Sequence, residues 1–456
     1  MENTLIEIIE GGTEFYGQAA AVLGPFFGAL SRLVANWWWL PLPFILWPVF
    51  LKHYLSWRQH LWDVHERPAS ILLEVKPPSD VKKPIRAMEA VLHGFWQIYG
   101  PPNWYQKWIE GEQGLSFSLE IVGIDGVPHF LVRIPEPHRD LFESHIYSQY
   151  GEAEIREVED YVKNVPSNIP NNRWDFMGCG YQMVPSHFYP IRTYKEFETE
   201  MEDDEQKVDP IAGLMESIAK LKKGEQIWIQ IKAKPVANDN DGGFSKDAEK
   251  EKEKLLQRSS GDEEDSNARS IPQMLIEFMA NFRISEFSKS EDKDFGGLSP
   301  EMMLSPGEKR KVDALERKVS KKYFKCHIMH IYLGRKDVID WPKFKMPMSY
   351  FNNFSDNNIG SIIPKGAFIT KQEQKYWNWF LFPKRRKYLL KRKFIRNYIR
   401  RTPLYYPKVH PDGQFILNTE ELATLFHFPS KIAGPPSILE RVESKKAEAP
   451  WQLPTE

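Results

Sequence analysis

His138, Glu143 and His145 fall close together, and His327 and His330 lie three apart. Spacings of this kind raise the question of a metal or an acid–base pair. The first group is not the HExxH arrangement, which sets two histidines one helical turn apart around a zinc ion. The second lies in "YFKCHIMHIYLG", a strand sequence, where residues three apart face opposite sides. Neither grouping predicts a shared metal. Cys179 and Cys326 are the only cysteines. Two thiols cannot build a disulfide framework, and they suit a reducing compartment. No glycine is followed by lysine, so the phosphate-cradling GxxxxGK[ST] loop is absent, as are GxSxG and a strand-following GxGxxG. The residues therefore assign no catalytic group, no cofactor and no metal, and the chain reads as a non-enzyme.

Charge offers more. "PKRRKYLLKRKFIRNYIRR" carries ten cations and no acid: Lys384, Arg385, Arg386, Lys387, Lys391, Arg392, Lys393, Arg396, Arg400 and Arg401. Tyr388, Leu389, Leu390, Phe394, Ile395, Tyr398 and Ile399 are interleaved. On a helix this gives a basic face and an apolar, aromatic one. Three readings stand side by side. One is an anionic lipid surface, another is nucleic acid held by its phosphates, and the third is a solvated helix docked on its own domain.

The elements that would position this segment begin with the least polar stretch. The chain has 456 residues, 15 tryptophans and a formal charge of -1, and its mean hydropathy is -0.50. Leu33 to Leu51 holds no charge over 19 positions, roughly 28 Å as a helix. Trp37, Trp38 and Trp39 lie near one end, and Tyr54 and Trp57 lie beyond the other, like aromatic belts. The expectation is one membrane-spanning helix over 33–57, including Trp37, Trp38, Trp39, Pro41, Phe44, Trp47 and Phe50. Residues 1–32 would be exported or interfacial, with "AAAVLGPFFGAL" leaving a second membrane element undecided. Lys52, Arg58 and Arg67 outnumber Arg32. The positive-inside rule then predicts a single-pass inner-membrane protein with its bulk in the cytoplasm.

Residues 68–165 read as βαββαβ. A strand ends at Pro77-Pro78, Ile85, Met88, Leu92 and Phe95 repeat at helical spacing, and a hairpin turns at Asp125-Gly126. Residues 174–236 and 305–365 read as a second α/β domain, split by a charged and largely disordered insertion over 237–304. The expected class is α+β, with two ferredoxin-like domains after the membrane helix. An aromatic and basic segment over 366–410 and an arm over 411–456 complete the chain.

The arm is the most distinctive sequence: "FILNTEELATLFHFPSKIAGPPSILERVESKKAEAPWQLP". Its strings "LNTEELATLFHFP" and "ERVESKKAEAPWQLP" resemble the segment before the motor domain of conjugative-transfer, type IV secretion-like ATPases of the HerA/coupling-protein superfamily. "MSYFNNFSDNNIGSIIP" is similar to an upstream element of the same proteins. Thr419, Glu420, Glu421, Leu422, Phe426, His427, Phe428 and Pro429 carry the match, and the resemblance implies a docking motif. The departure is large, because no Walker residues follow. The resemblance implies a non-catalytic, membrane-anchored scaffold of a DNA or protein translocation system that recruits a separate P-loop ATPase. A membrane-tethered nucleic-acid-binding protein acting through 384–401 is the alternative. The expected partners are a lipid bilayer and the ATPase, with DNA and self-association left open.

Overall fold

A computed structural model describes residues 36, 42–77, 83–199, 209–237, 243–259, 304–356, 359–365, 370, 383–401 and 414–429. They fall into two compact units.

The first unit holds helix α1 (Leu42–Leu61) and the stretch Trp104–Glu112. Arg58 Nε donates to the Ile109 carbonyl at 2.5 Å. Gly111 sits against the Arg58 backbone at φ 77°, where a Cβ would come within 2.6 Å of the Arg58 carbonyl carbon. The expected membrane helix is corrected here, because no helix among the described residues is long and apolar enough to cross a membrane. The charge-free part of α1 runs only from Leu42 to Leu51. That is about 15 Å at the helical rise, against a hydrocarbon core of ~30 Å. Lys52, His53, Arg58 and His60 then occupy the same helix. Trp47 and Phe50 belong to an aromatic ladder, Trp47–Phe50–Tyr54–Trp57, with neighbouring ring centroids 5.9, 6.0 and 6.3 Å apart. Phe44 also lies in α1, whereas Trp37, Trp38, Trp39 and Pro41 lie outside the described residues. The single-pass inner-membrane localisation rested on that span and falls with it.

The second unit is built around one sheet. In chain order it contains β1 (Ser70–Lys76), α2 (Ile85–Phe95), β2 (Phe117–Ile124), β3 (Val127–Pro135), α3 (Arg139–Gln149) and β4 (Glu154–Glu157). Then come β5 (Trp174–Val184), α4 (Tyr194–Thr199), α5 (Ala212–Ala219), β6 (Glu225–Val236), α6 (Phe244–Ser259) and α7 (Pro306–Val319). β7 (Tyr323–Arg335), α8 (Met346–Asn352), β8 (Ser361–Pro364), α9 (Pro383–Arg400), β9 (Phe415–Asn418) and α10 (Thr419–Leu425) follow. Local chemistry explains the punctuation. Asp125 and Gly126 both take positive φ, 52° and 95°, as a two-residue hairpin with right-handed strand twist requires. Ser305 and Asn418 each close a capping box, with Glu308 and Glu421 respectively.

The fold class is not the expected pair of ferredoxin-like domains. Among the described residues, nine strands form one sheet in the order β4-β1-β3-β2-β6-β7-β5-β8, with β9 beside β7, and every pairing is antiparallel. β2 and β6 join the halves, in register from Phe117↔Ala233 to Ile124↔Gln226. The reason is physical: all of β2 but its last residue is buried, so it cannot serve as a free edge. Read inward from either margin, the order is fourth, first, third and second strand of that half. β7 is shared further, since one side meets β6 along its length and the other meets β9 at Tyr323–Cys326 and β5 from Met329 onward.

Side chains alternate between the two faces. One face carries Leu119, Ile121, Val132 and Ile229, covered by Leu92, Phe95, Phe142, Ile218, Phe351 and Leu422 from α2, α3, α5, α8 and α10. The other carries Leu131, Val122, Trp228 and Ile331, covered by Phe394, Ile395 and Tyr398 of α9 and by Tyr161, Val162 and Ile169. Within the charged insertion, residues 244–259 form α6, whose Ala248 and Leu255 share a small core with Val312 and Leu315 of α7. Residues 260–303 lie outside the described residues.

Candidate anion-binding site

Helix α9 divides its side chains between the sheet and solvent. Toward its C-terminus Phe394, Ile395 and Tyr398 are buried on the sheet, and Tyr398 stacks on Trp228 with ring centroids 5.7 Å apart. Lys391 Nζ donates to Asp175 Oδ1 at 2.6 Å, and Arg392 Nη1 donates to the Ser167 carbonyl at 3.0 Å. Arg401 ends the helix with φ 45°. This left-handed conformation disfavours side chains with a Cβ, and the side chain's contacts hold it. Arg401 Nε and Nη2 donate to Glu120 at 2.6 and 2.9 Å, while Nη1 and Nη2 reach Asp160. The remaining cations, Lys384, Arg385, Arg386, Lys387, Lys393, Arg396 and Arg400, are exposed, as are Tyr388, Leu389 and Leu390.

Glu120 sits at the centre of β2 and is fully buried. Ser118 Oγ donates to it at 2.6 Å, Tyr161 OH at 2.7 Å and Gln230 Nε2 at 3.2 Å, in addition to Arg401. A carboxylate has about four lone-pair positions, so these donors saturate it. Burial pushes its pKa up, but Arg401 and the hydroxyl donors outweigh burial and hold it below the usual value. A saturated carboxylate with a lowered pKa is a poor proton acceptor. Glu120 is an anchor rather than a base.

Beside this anchor lies a shallow, solvent-open depression. Its lining comes from Arg67, β1 (Ser70), the start of β2 (Ser116, Phe117, Ser118), β3 (Arg133), β6 (Lys232, Ala233, Lys234) and Arg401. Among the described residues, five cations and three hydroxyls line it, and no carboxylate does. Strand register brings them together: Ser118 faces Arg133 on one side and Lys232 on the other. Lys234 stands opposite Lys325 and Lys232 opposite His327. Burial lowers the Arg133 pKa, and the nearby Arg401 charge adds to the effect. Asp160, which accepts from Arg133 Nη1 at 3.3 Å, and Glu120 oppose that lowering.

The docking motif of the arm occupies a different place. Thr419, Glu420, Glu421, Leu422, Phe426, His427 and Phe428 are all buried, and Pro429 is half-buried. Glu420 accepts from Thr193 Oγ1 at 2.6 Å and pairs with Lys195 and Lys321 at 2.8 and 2.6 Å. Glu421 accepts from the Ile191 amide at 3.0 Å and pairs with Lys318 at 3.1 Å. His427 Nε2 lies 2.7 Å from Asp209 Oδ1. Phe428 meets Phe130 and Tyr150 edge-on. These side chains fasten the late segment to the sheet and its helices.

The histidine groupings stay apart. Glu143 pairs with Arg139 at 2.7 Å. His327 and His330 lie on opposite faces of β7, and His330 Nδ1 is 2.9 Å from Tyr181 OH. Among the described residues no group of three or more His, Cys, Asp or Glu side chains could hold a metal ion.

Sequence reasoning named Arg401 but not the residues it meets. A signal existed, since strand alternation in "SLEIV" and "IQIKAKP" places Ser118, Glu120 and Val122, and Gln230, Lys232 and Lys234, on single faces. Comparison with known protein families and with curated proteins finds no match to this chain.

Proposed function

We propose that this protein binds nucleic acid through the phosphate backbone, with α9 as the contact element. The observation that supports this most is the division of labour along α9. Lys391, Arg392 and Arg401 bind the protein itself, while Lys384, Arg385, Lys387, Lys393, Arg396 and Arg400 of this acid-free helix face solvent. A merely solvated helix gains from interspersed acids, which relieve repulsion between neighbouring turns. α9 has none. Exposed Tyr388 adds a ring on which a base can stack. No membrane tether enters this reading. Recruitment of a P-loop ATPase by the arm draws no support from residues 419–429, whose side chains are occupied internally.

The test is fluorescence anisotropy of a labelled oligonucleotide across a salt series. Binding should weaken linearly on logarithmic axes, with a slope of about -0.9 per neutralised phosphate for duplex or about -0.7 for single strands. Absence of binding at low salt would refute the reading.

A further inference from the structure

We infer that α9 engages B-form duplex DNA, with the turns Lys384–Leu390 entering the major groove and Lys393, Arg396 and Arg400 lying along a phosphate backbone. This names the class of nucleic acid and rests on the function proposed above.

The way α9 leaves the sheet carries the inference. Lys391, Phe394 and Tyr398 follow one another along one side of the helix and are buried. Lys384 and Lys387 precede Lys391 by seven and four positions, so they continue that same side. Both are exposed. The side that docks the C-terminal half is therefore open to solvent in the N-terminal half. Every position from Lys384 to Leu390 is exposed. At about 100° per residue, these consecutive positions run nearly twice round the helix. The first two turns are thus open on every side. A docked helix presents one face to a ligand, whereas a projecting one can be received into a groove.

Size selects the groove. An α-helix with its side chains is about 10–12 Å across, and the major groove of B-form DNA is about 12 Å wide. The deep groove of duplex RNA is too narrow to be read by side chains. A single strand is held in a basic groove by rings on which successive bases stack. The projecting turns are convex and carry one ring, Tyr388. Their chemistry fits the walls and floor of the major groove. Lys384, Arg385 and Lys387 leave the axis in different directions, toward phosphates on both walls. Tyr388, Leu389 and Leu390 are exposed beside them, and apolar atoms in this groove meet thymine methyl groups. Lys393, Arg396 and Arg400 share the face turned away from the sheet, where they can follow the phosphates of one strand.

The experiment uses the full chain and one sequence prepared as duplex DNA, duplex RNA and single-stranded DNA, at one low salt concentration. Duplex DNA should bind about tenfold more tightly than either of the others. Methyl green, a major-groove ligand, should displace the protein, and the minor-groove ligand netropsin should not. Tyr388→Ala/Leu389→Ala/Leu390→Ala keeps every charge and replaces exposed residues with the best helix former, so it should fold as before. Its preference for duplex DNA over duplex RNA should fall toward unity while the salt slope stays unchanged. Equal affinity for the three forms, preference for the single strand, displacement by netropsin alone, or a preference that survives in the variant overturns groove insertion and leaves phosphate binding by α9 in place. No binding to any form overturns the proposed function, and groove insertion with it.

Discussion

Arg401 grips Glu120 across 281 positions of sequence, through Nε to Oε1 at 2.6 Å and Nη2 to Oε2 at 2.9 Å. Both side chains are almost wholly buried. Removing one partner from such a pair leaves the other charge stranded. Glu120→Gln should therefore cost about 3–5 kcal/mol in urea unfolding. The pH dependence has a definite sign. The Glu120 pKa is lowered in the folded state, with Arg401 overcoming the cost of burial. Its contribution is present above the unfolded carboxylate value and is lost as pH falls through the folded one. Stability of Glu120→Gln should fall less steeply on acidification than that of the unaltered protein.

Lys318 and Glu421 form a second buried pair, and both side chains are 0% exposed. Burial lowers the lysine's pKa and raises the glutamate's, so this pair sits in a costlier environment than Arg401 and Glu120. Lys318→Met alone should destabilise by about 3–5 kcal/mol, because Glu421 is then buried without its cation. Adding Glu421→Gln should recover much of that loss. A double-mutant cycle read by chemical denaturation checks it, and additive losses would contradict the coupling.

His330 is fully buried on β7, and burial lowers its pKa to about 3. The unfolded chain then binds a proton that the folded chain refuses. Stability contributed by the neutral ring is complete above pH ~6.5 and falls as pH drops toward 3, at up to about 1.4 kcal/mol per pH unit. His330→Phe keeps an aromatic ring beside Phe344 and removes the titration. Its stability relative to the unaltered protein should rise as pH falls from 6.5, measured by thermal unfolding at several pH values.

The two halves of α9 should respond differently to charge removal. Replacing Lys384, Arg385 and Lys387 with glutamine should leave unfolding within about 0.5 kcal/mol. It should also reduce the salt slope of oligonucleotide binding by about one per phosphate-contacting cation. Lys391→Gln removes the Asp175 partner and should act mainly on stability. A reversed pattern would place the contact on the wrong half of the helix.

Local elements were legible in sequence because their signals are local. Ile85, Met88 and Leu92 repeat at helical spacing, and Asp125-Gly126 turns a hairpin. Pairing partners were not, because period-two alternation states which face a residue takes and not which strand lies beside it. Nothing near Phe117 announces Ala233, so one continuous sheet was read as two domains. The apolar run before Lys52 reads as a span by composition, yet the helix Leu42–Leu61 continues through Arg58 and His60. At the site, the basic helix was visible as a charge run. The basin was not, since Arg67, Ser118, Arg133, Lys232 and Arg401 meet only when four strands and a helix end come together.

The sharing of β7 has a consequence for synthesis. Among the described residues, Tyr323–Cys326 gains its outer neighbour from Phe415–Asn418. A ribosome adding about 5–20 residues per second makes the four strand residues wait on the order of ten seconds for their cover. During that interval the nascent chain presents an unsatisfied ladder of amides and carbonyls, a template for pairing with a neighbouring polysome's product. Glu120 waits longer still for its guanidinium. Translation speed between Cys326 and Phe415 is thus a variable of the protein's yield.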